Sequence, residues 1–248
     1  MTIKQFRKVS LSVSGMNISY HQGVVKCLKD AKFINTSTLY SGTSGGAIVS
    51  ALTACGIDPY VQLECTKNVF KNSIVNESQP IEEILSMLDE YLPSNAHLRC
   101  NDIVTSHLCR LKYPLPKSYS IHSYKSKSDL ILAITSSSYI PLLLGKEMYI
   151  NFRGLPHIDG GFLKNRQPVL NGDNDYNLYV DATEHKMVSK EYNSIFYGMS
   201  ETLFHENTPF KFPKTLIEFD TMLDEKFLQG YNDTNKFIED CALHSDQV

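Results

Sequence analysis

Residues 38–54, TLYSGTSGGAIVSALTA, decide how this chain is read. Residues 38–41 suit a short strand, and residues 47–54, rich in Ala, Val, Ile and Leu, suit a buried helix that stops at Gly56 ahead of Asp58-Pro59. Between them lies Gly42-Thr43-Ser44-Gly45-Gly46, which has the G-x-S-x-G spacing of a nucleophile elbow. The spacing has a physical basis. A serine on a sharp strand-to-helix turn sits in strained backbone geometry, and Gly42 and Gly46, two before and two after, let the flanking chains pass closely. The helix starting near Gly46 aims free N–H groups and its positive dipole end at the place where an oxyanion would form.

Working outward, the preceding segment repeats the arrangement. Residues 8–14, KVSLSVS, alternate like a strand, and residues 18–31 set Val24, Val25, Leu28 and Ala31 on one helical face. Two strand–helix units with no hairpin dipeptide between them predict parallel strands in a covered sheet, hence an α/β fold. Helices are expected over 58–70 and 80–92, with a weaker case over 96–111. Strands are expected around 148–152, 157–159, 177–182 and 194–198, and a C-terminal helix over 214–243, broken near Gly230. No repeat, low-complexity run or linker divides the chain, so residues 1–248 read as one domain.

Composition narrows the function. A chain of 248 residues with 42% hydrophobic and 21% charged residues is neither disordered nor fibrous. Its net charge of −3 lacks the positive field of a nucleic-acid binder. The most apolar stretch, residues 130–144, is interrupted by Thr135-Ser136-Ser137-Ser138 and Pro141 and falls short of a membrane span. The N-terminus lacks a signal-peptide pattern, and six scattered cysteines without a C-x-x-C suggest neither zinc nor a disulfide framework. His107 and Cys109 form the only tight metal-like pair, and with no second pair a metal site is not expected. The expectation is an intracellular protein, cytoplasmic or peripheral on membranes, with reduced thiols.

Which group activates Ser44 stays open on spacing alone. A Ser-His-acid triad needs a downstream histidine, and His185 and His205 supply one, although 43 residues before the serine are few for the α/β-hydrolase order. The alternative is an aspartate acting directly. His157-Ile158-Asp159-Gly160-Gly161 places one at the end of an expected strand, with two glycines that leave its carboxylate approachable.

Four blocks, in this order, resemble the patatin-like phospholipases: residues 10–24 (SLSVSGMNISYHQGV), 42–47 (GTSGGA), 136–142 (SSSYIPL) and 158–169 (IDGGFLKNRQPV). Residues 229–234 (QGYNDT) are similar to a segment of the adiponutrin-like branch. The resemblance implies a patatin-like three-layer fold, with a central, mostly parallel sheet flanked by helices. It also implies a lipid acyl hydrolase of the phospholipase A, lysophospholipase or acylglycerol lipase type, acting on phospholipid or acylglycerol without a cofactor. Ser44 would be the nucleophile, Asp159 the base, and the N–H groups of Gly15, Met16 and Gly45 the oxyanion hole. Ile140, Leu142 and Leu143 are candidates for the wall along the acyl chain. One block departs from the family pattern: its glycine-rich oxyanion loop keeps Gly15 here, but Val13, Met16, Asn17 and Ile18 surround it. A left-handed backbone at Met16 or Ile18 would cost about 1–2 kcal/mol each, so the alternative is a catalytically weak or inactive lipid-binding module.

Residues 110–127 are the candidate for membrane contact. Between Ile103 and Ser128 there is no acidic residue but Arg110, Lys112, Lys117, Lys125 and Lys127, interleaved with Tyr113, Leu115, Tyr119 and Tyr124. Cations beside amphipathic rings suit an anionic headgroup layer.

Overall fold

The computed structural model describes residues 5–163, 177–182, 193–196 and 215–245. Its strands are β1 Lys8–Leu11, β2 Leu39–Thr43, β3 Val104–Arg110, β4 Lys117–Ile121, β5 Ile150–Phe152, β6 Leu155–Asp159, β7 Asn177–Asp181 and β8 Asn193–Phe196. Its helices are α1 Ile18–Asp30, α2 Gly45–Ala54, α3 Pro59–Val75, α4 Pro80–Tyr91, α5 Ala96–Cys100, α6 Lys127–Ser138 and α7 Leu216–Ser245. The strands form one sheet in the order β5-β6-β3-β2-β1-β7-β8, with β4 also paired to β3. From β3 to β8 the neighbours are parallel, whereas β4, β5 and β6 pair antiparallel. Successive side chains of a strand face opposite ways, and all five residues of β7 are buried, so this part of the sheet is covered on both faces. The expected α/β architecture, a mostly parallel sheet between helices, is the one observed.

The register around β3 places everything that follows. Thr43, the last residue of β2, lies opposite His107, and Asp159, the last residue of β6, lies opposite Leu108. Because β4 runs along residues 106–110 of β3, it occupies one edge throughout. The strands β2 and β6 therefore share the other edge and run toward each other until their ends meet.

The helix expected over 96–111 is not there. The short α5 gives way to β3, in which Val104, Ser106 and Leu108 are buried and Thr105 and His107 are half-buried. Cys100, Val104, Leu108 and Leu111 recur at helical spacing, while the segment from Val104 also alternates in twos, so both templates fit. Pairing with β2 and β4 settled the choice. The strand β4 was missed because KSYSI is exposed over its first four residues and shows no apolar stripe.

Gly230 does not break the C-terminal helix, since α7 runs through it without interruption. It marks a close crossing with α1. A Cβ at Gly230 would come within 2.1 Å of the Tyr20 carbonyl oxygen, and one at Gly23 within 1.9 Å of that of Phe227. Nearby, the Tyr20 hydroxyl donates to Asp233 Oδ2 at 2.8 Å, deep between the helices. Gly230→Ala should lower stability by roughly 1–3 kcal/mol through overpacking, outweighing the gain of up to about 1 kcal/mol in helix propensity; urea unfolding of both chains measures the difference.

Candidate active site

Where β2 and β6 meet, the Ser44 hydroxyl donates to Asp159 Oδ2 at 2.5 Å. Both residues are buried, each 3% exposed. Ser44 sits at φ 57°, ψ −133°, between the end of β2 and the start of α2. Such a backbone costs a non-glycine residue about 1–3 kcal/mol and persists only where its surroundings over-determine it. The glycines of the elbow do part of this. A Cβ at Gly42 would come within 2.4 Å of the Gly46 carbonyl oxygen, and one at Gly46 within 2.4 Å of that of Leu11.

The rest comes from α6, which the motif does not reveal. Ser137 Oγ accepts the Ser44 N–H at 3.0 Å and donates to the His107 carbonyl at 2.6 Å. The elbow is thus tied to β3 through a side chain 93 residues away. The His107 ring bonds Ser41 at 2.7 Å through Nε2 and Ser120 at 2.8 Å through Nδ1, joining β2, β3 and β4. Burial lowers its pKa to about 4, so it is neutral at physiological pH. No sequence signal pointed to Ser137 or His107 as supports; Ser137 lay in a small-residue block with no assigned task.

Asp159 is held on three sides. Oδ2 accepts from Ser44, Oδ1 accepts the Gly161 N–H at 2.6 Å, and the Asp159 N–H donates to the Tyr139 carbonyl at 2.8 Å. Burial raises its pKa to about 6, while the Ser44 hydroxyl and the Gly161 N–H act in the opposite direction. A carboxylate with a pKa near 6 exchanges its proton close to neutral pH.

The loop after β1 faces the start of α2. A Cβ at Gly45 would come within 2.2 Å of Ser14 Oγ and within 3.2 Å of Ile18 Cγ1. Gly15 alone in this loop takes a positive φ, 51°. Residues Gly15–Asn17 form a single 3₁₀ turn that runs into α1, with Asn17 at φ −89° and Ile18 at φ −56°. The strain expected at Met16 and Ile18 is therefore absent, because the chain enters a helix there and neither residue has a positive φ. His21, fully buried on α1, secures the loop by donating from Nε2 to the Ser12 carbonyl at 2.9 Å. Burial lowers its pKa to about 4.

The remaining candidates divide. Ile140 is half-buried next to Tyr139, but Leu142 and Leu143 are 76% and 55% exposed on a turn whose Leu144 carbonyl accepts the Ile81 N–H at 2.9 Å. The expected acyl wall is an exposed apolar turn there. In residues 110–127, Tyr124 leaves the surface: it is buried, and its hydroxyl bonds Ser106 and the Val104 carbonyl. Lys127 is paired with Asp89 at 3.1 Å. The β3–β4 tip faces solvent with Lys112, Tyr113 (95% exposed), Leu115 and Lys117, and Tyr119 and Lys125 are exposed as well. Among the described residues no histidine bonds Ser44. His157 Nδ1 instead bonds the Leu155 carbonyl at 2.9 Å, and His185 and His205 lie outside the described residues.

Comparisons with known proteins bear on the family and the fold. Residues 9–169 match the family described as "Patatin-like phospholipase". The chain is 24% identical over 250 residues to the omega-hydroxyceramide transacylase of Mus musculus, covering 93% of this chain and 40% of that protein. It is 21% identical over 174 residues to the human patatin-like phospholipase domain-containing protein 4, covering 65% of this chain and 66% of that one. Among solved structures, VipD from Legionella pneumophila superposes with a TM-score of 0.56 at 12% identity, covering 95% of this chain and 67% of that chain. This last likeness concerns the fold alone. No helix among the described residues is long and apolar enough to cross a membrane.

The raised Asp159 pKa has a consequence for stability. Between pH 3.8 and about 6 the folded chain holds a proton that the unfolded chain has lost, so stability falls as pH rises through this window and the penalty persists above it. Asp159→Asn removes the penalty. The variant should be more stable than the parent at pH 8, by up to about 3 kcal/mol, with the advantage gone near pH 4; thermal unfolding across pH reads this directly.

Proposed function

Because the chain belongs to the patatin-like phospholipase family, we propose that it is a lipid acyl hydrolase of the phospholipase A, lysophospholipase or acylglycerol lipase type, acting through a Ser44–Asp159 dyad. The observation that carries this reading is the 2.5 Å hydrogen bond from Ser44 to a buried carboxylate whose pKa is raised to about 6. Ser44 Oγ attacks the ester carbonyl carbon while Asp159 takes the hydroxyl proton, and the carbonyl π pair moves onto the oxygen. The tetrahedral intermediate expels the alcohol, which leaves with the proton from Asp159. Water then attacks the acyl-enzyme, Asp159 accepts its proton, and the fatty acid departs as Ser44 recovers its hydrogen. The N–H groups of Gly45, Gly15 and Met16 are the backbone donors assigned to the oxyanion. The alternative, a catalytically weak or inactive lipid-binding or regulatory module, rests on the loop changes at residues 16–18; a loop without a left-handed backbone at Met16, Asn17 or Ile18 supports the catalytic reading.

A second reading is acyl transfer to a lipid alcohol in place of water. Similarity to omega-hydroxyceramide transacylase supports it. The chain spans 40% of the length of that protein, so the acceptor is a matter for product analysis with and without an added lipid alcohol.

A fluorophosphonate probe should label Ser44 in the wild type and leave Ser44→Ala unlabelled. Hydrolysis by the wild type should rise with pH, with kcat/KM inflecting near pH 6 as Asp159 loses its proton, and Asp159→Asn should be inactive at every pH. Labelling that survives Ser44→Ala, or a flat pH profile between 5 and 7, would remove the dyad.

We also infer that the β3–β4 tip contacts anionic bilayers, since Lys112, Lys117, Tyr113 and Leu115 are exposed together on one turn and neither lysine joins an ion pair among the described residues. At about 1 kcal/mol per basic residue, changing Lys112 and Lys117 to Gln should weaken vesicle co-sedimentation about ten- to thirtyfold at low salt. Equal binding by the two proteins would take the tip out of the account.

A further inference from the structure

Ser14 carries a buried hydroxyl with no hydrogen-bond partner among the described residues. Buried polar atoms are nearly always paired, so an orphan calls for a reason. The other orphan hydroxyls, those of Ser10, Ser19, Ser50, Thr135 and Ser136, sit within β1, α1, α2 and α6. Ser14 alone among them lies in a loop, the one that faces the nucleophile. Its Oγ stands 2.2 Å from where a Cβ on Gly45 would be, beside the residue that follows Ser44.

The neighbours on the loop are engaged differently. Ser12 Oγ contacts the Val13 carbonyl at 2.9 Å and Asp181 Oδ1 at 3.2 Å, and accepts the Ala182 N–H at 3.1 Å. Asn17 Nδ2 donates to the Ala182 carbonyl at 2.8 Å. These bonds anchor the loop to β7 and its end. The Ser14 carbonyl accepts the Asn17 N–H at 2.8 Å, which leaves only the Ser14 hydroxyl without a bond among the described residues, on the residue before the loop's one left-handed glycine.

We propose that the Ser14 hydroxyl is a side-chain donor to the oxyanion, acting beside the Gly45 N–H. The assignment rests on Ser44 being the nucleophile. As Ser44 Oγ bonds the carbonyl carbon, the π pair moves to the carbonyl oxygen, which becomes the acceptor that Ser14 lacks in the resting state. Ser14 keeps its proton throughout, while Asp159 takes the proton of Ser44. An interaction that exists only once charge has developed lowers the barrier without tightening substrate binding. It also gives this loop, with a single left-handed glycine, a donor that glycine-rich backbone would otherwise provide.

The test pairs kinetics with stability in the full chain. Wild type, Ser14→Ala and Ser44→Ala are assayed on a soluble short-chain p-nitrophenyl ester, and Tm is measured for each. Ser14→Ala should lose at least about tenfold and as much as about a thousandfold in kcat, keep KM within about twofold, and match or exceed the wild-type Tm, because the Ser14 hydroxyl makes no hydrogen bond among the described residues. A kcat loss below tenfold, a KM rise that accounts for the loss, or a fall in Tm would overturn the proposal. The Ser44→Ala control separates the two levels. If that variant is inactive and Ser14→Ala is not impaired, only the Ser14 assignment fails; if wild type and Ser44→Ala are alike, the dyad reading fails and takes Ser14 with it.

Discussion

The edge of β3 shared by β2 and β6 is the constraint on which the site depends. A strand has two edges, and β4 holds one of them across residues 106–110. The other is divided between β2, which arrives parallel and ends at Thr43, and β6, which arrives antiparallel and ends at Asp159. Backbone pairing thus brings together the ends of two strands, and the side chains of Ser44 and Asp159, 115 residues apart and lying just past and at those ends, touch at 2.5 Å. Gly160 is part of this junction, since a Cβ there would come within 2.3 Å of the His107 carbonyl oxygen. Hydrogen bonds along β3 set the meeting point to within one residue, because a register slip of one would turn Asp159 to the other face of the sheet.

Two energetic costs accumulate at this junction. Ser44 holds a conformation that is unfavourable for a residue with a side chain, and Asp159 is a carboxylate removed from water. Polar contacts aimed at these two residues offset both. Ser137 occupies the Ser44 N–H, Gly161 and Ser44 donate to the carboxylate, and Tyr139 anchors the Asp159 backbone. The end of α6 therefore serves both Ser44 and Asp159. Its run of buried small residues, Ser136-Ser137-Ser138, lets the helix end reach the sheet closely enough to do so. The residual cost appears as the raised pKa of Asp159, which on the proposed function would suit it to act as a base near neutral pH.

Local signals were legible wherever one segment carried its own pattern. Gly42, Ser44 and Gly46 between a strand and a helix, and Asp159 ahead of two glycines, could be found without coordinates because small residues are obligatory at these turns. The helices α1 and α4 also came out close to their observed limits, each having an apolar stripe at helical spacing. Residues 96–111 misled because their apolar positions satisfy two periods at once, and β4 escaped because its first four residues are solvent-exposed. Gly230 misled for another reason. Glycine in a helix reads as a stop, yet here it lets α1 and α7 approach until backbone touches backbone.

From its order of residues alone the chain determines the two strand–helix units at its start, the elbow, the aspartate block and the resemblance to one family, because each depends on neighbours in sequence and on the steric limits of small residues. Only the tertiary structure decides that Ser44 meets Asp159 directly and that Ser137 and His107 brace the elbow. The same holds for Tyr124, which turns inward, and for the loop of Gly15 and Met16, which relaxes into a helix. These outcomes depend on contacts between distant segments, across the shared edge of β3 and between helices. Local pattern carries no record of such partners, since the same serine or tyrosine is compatible with a solvated surface and with a paired interior.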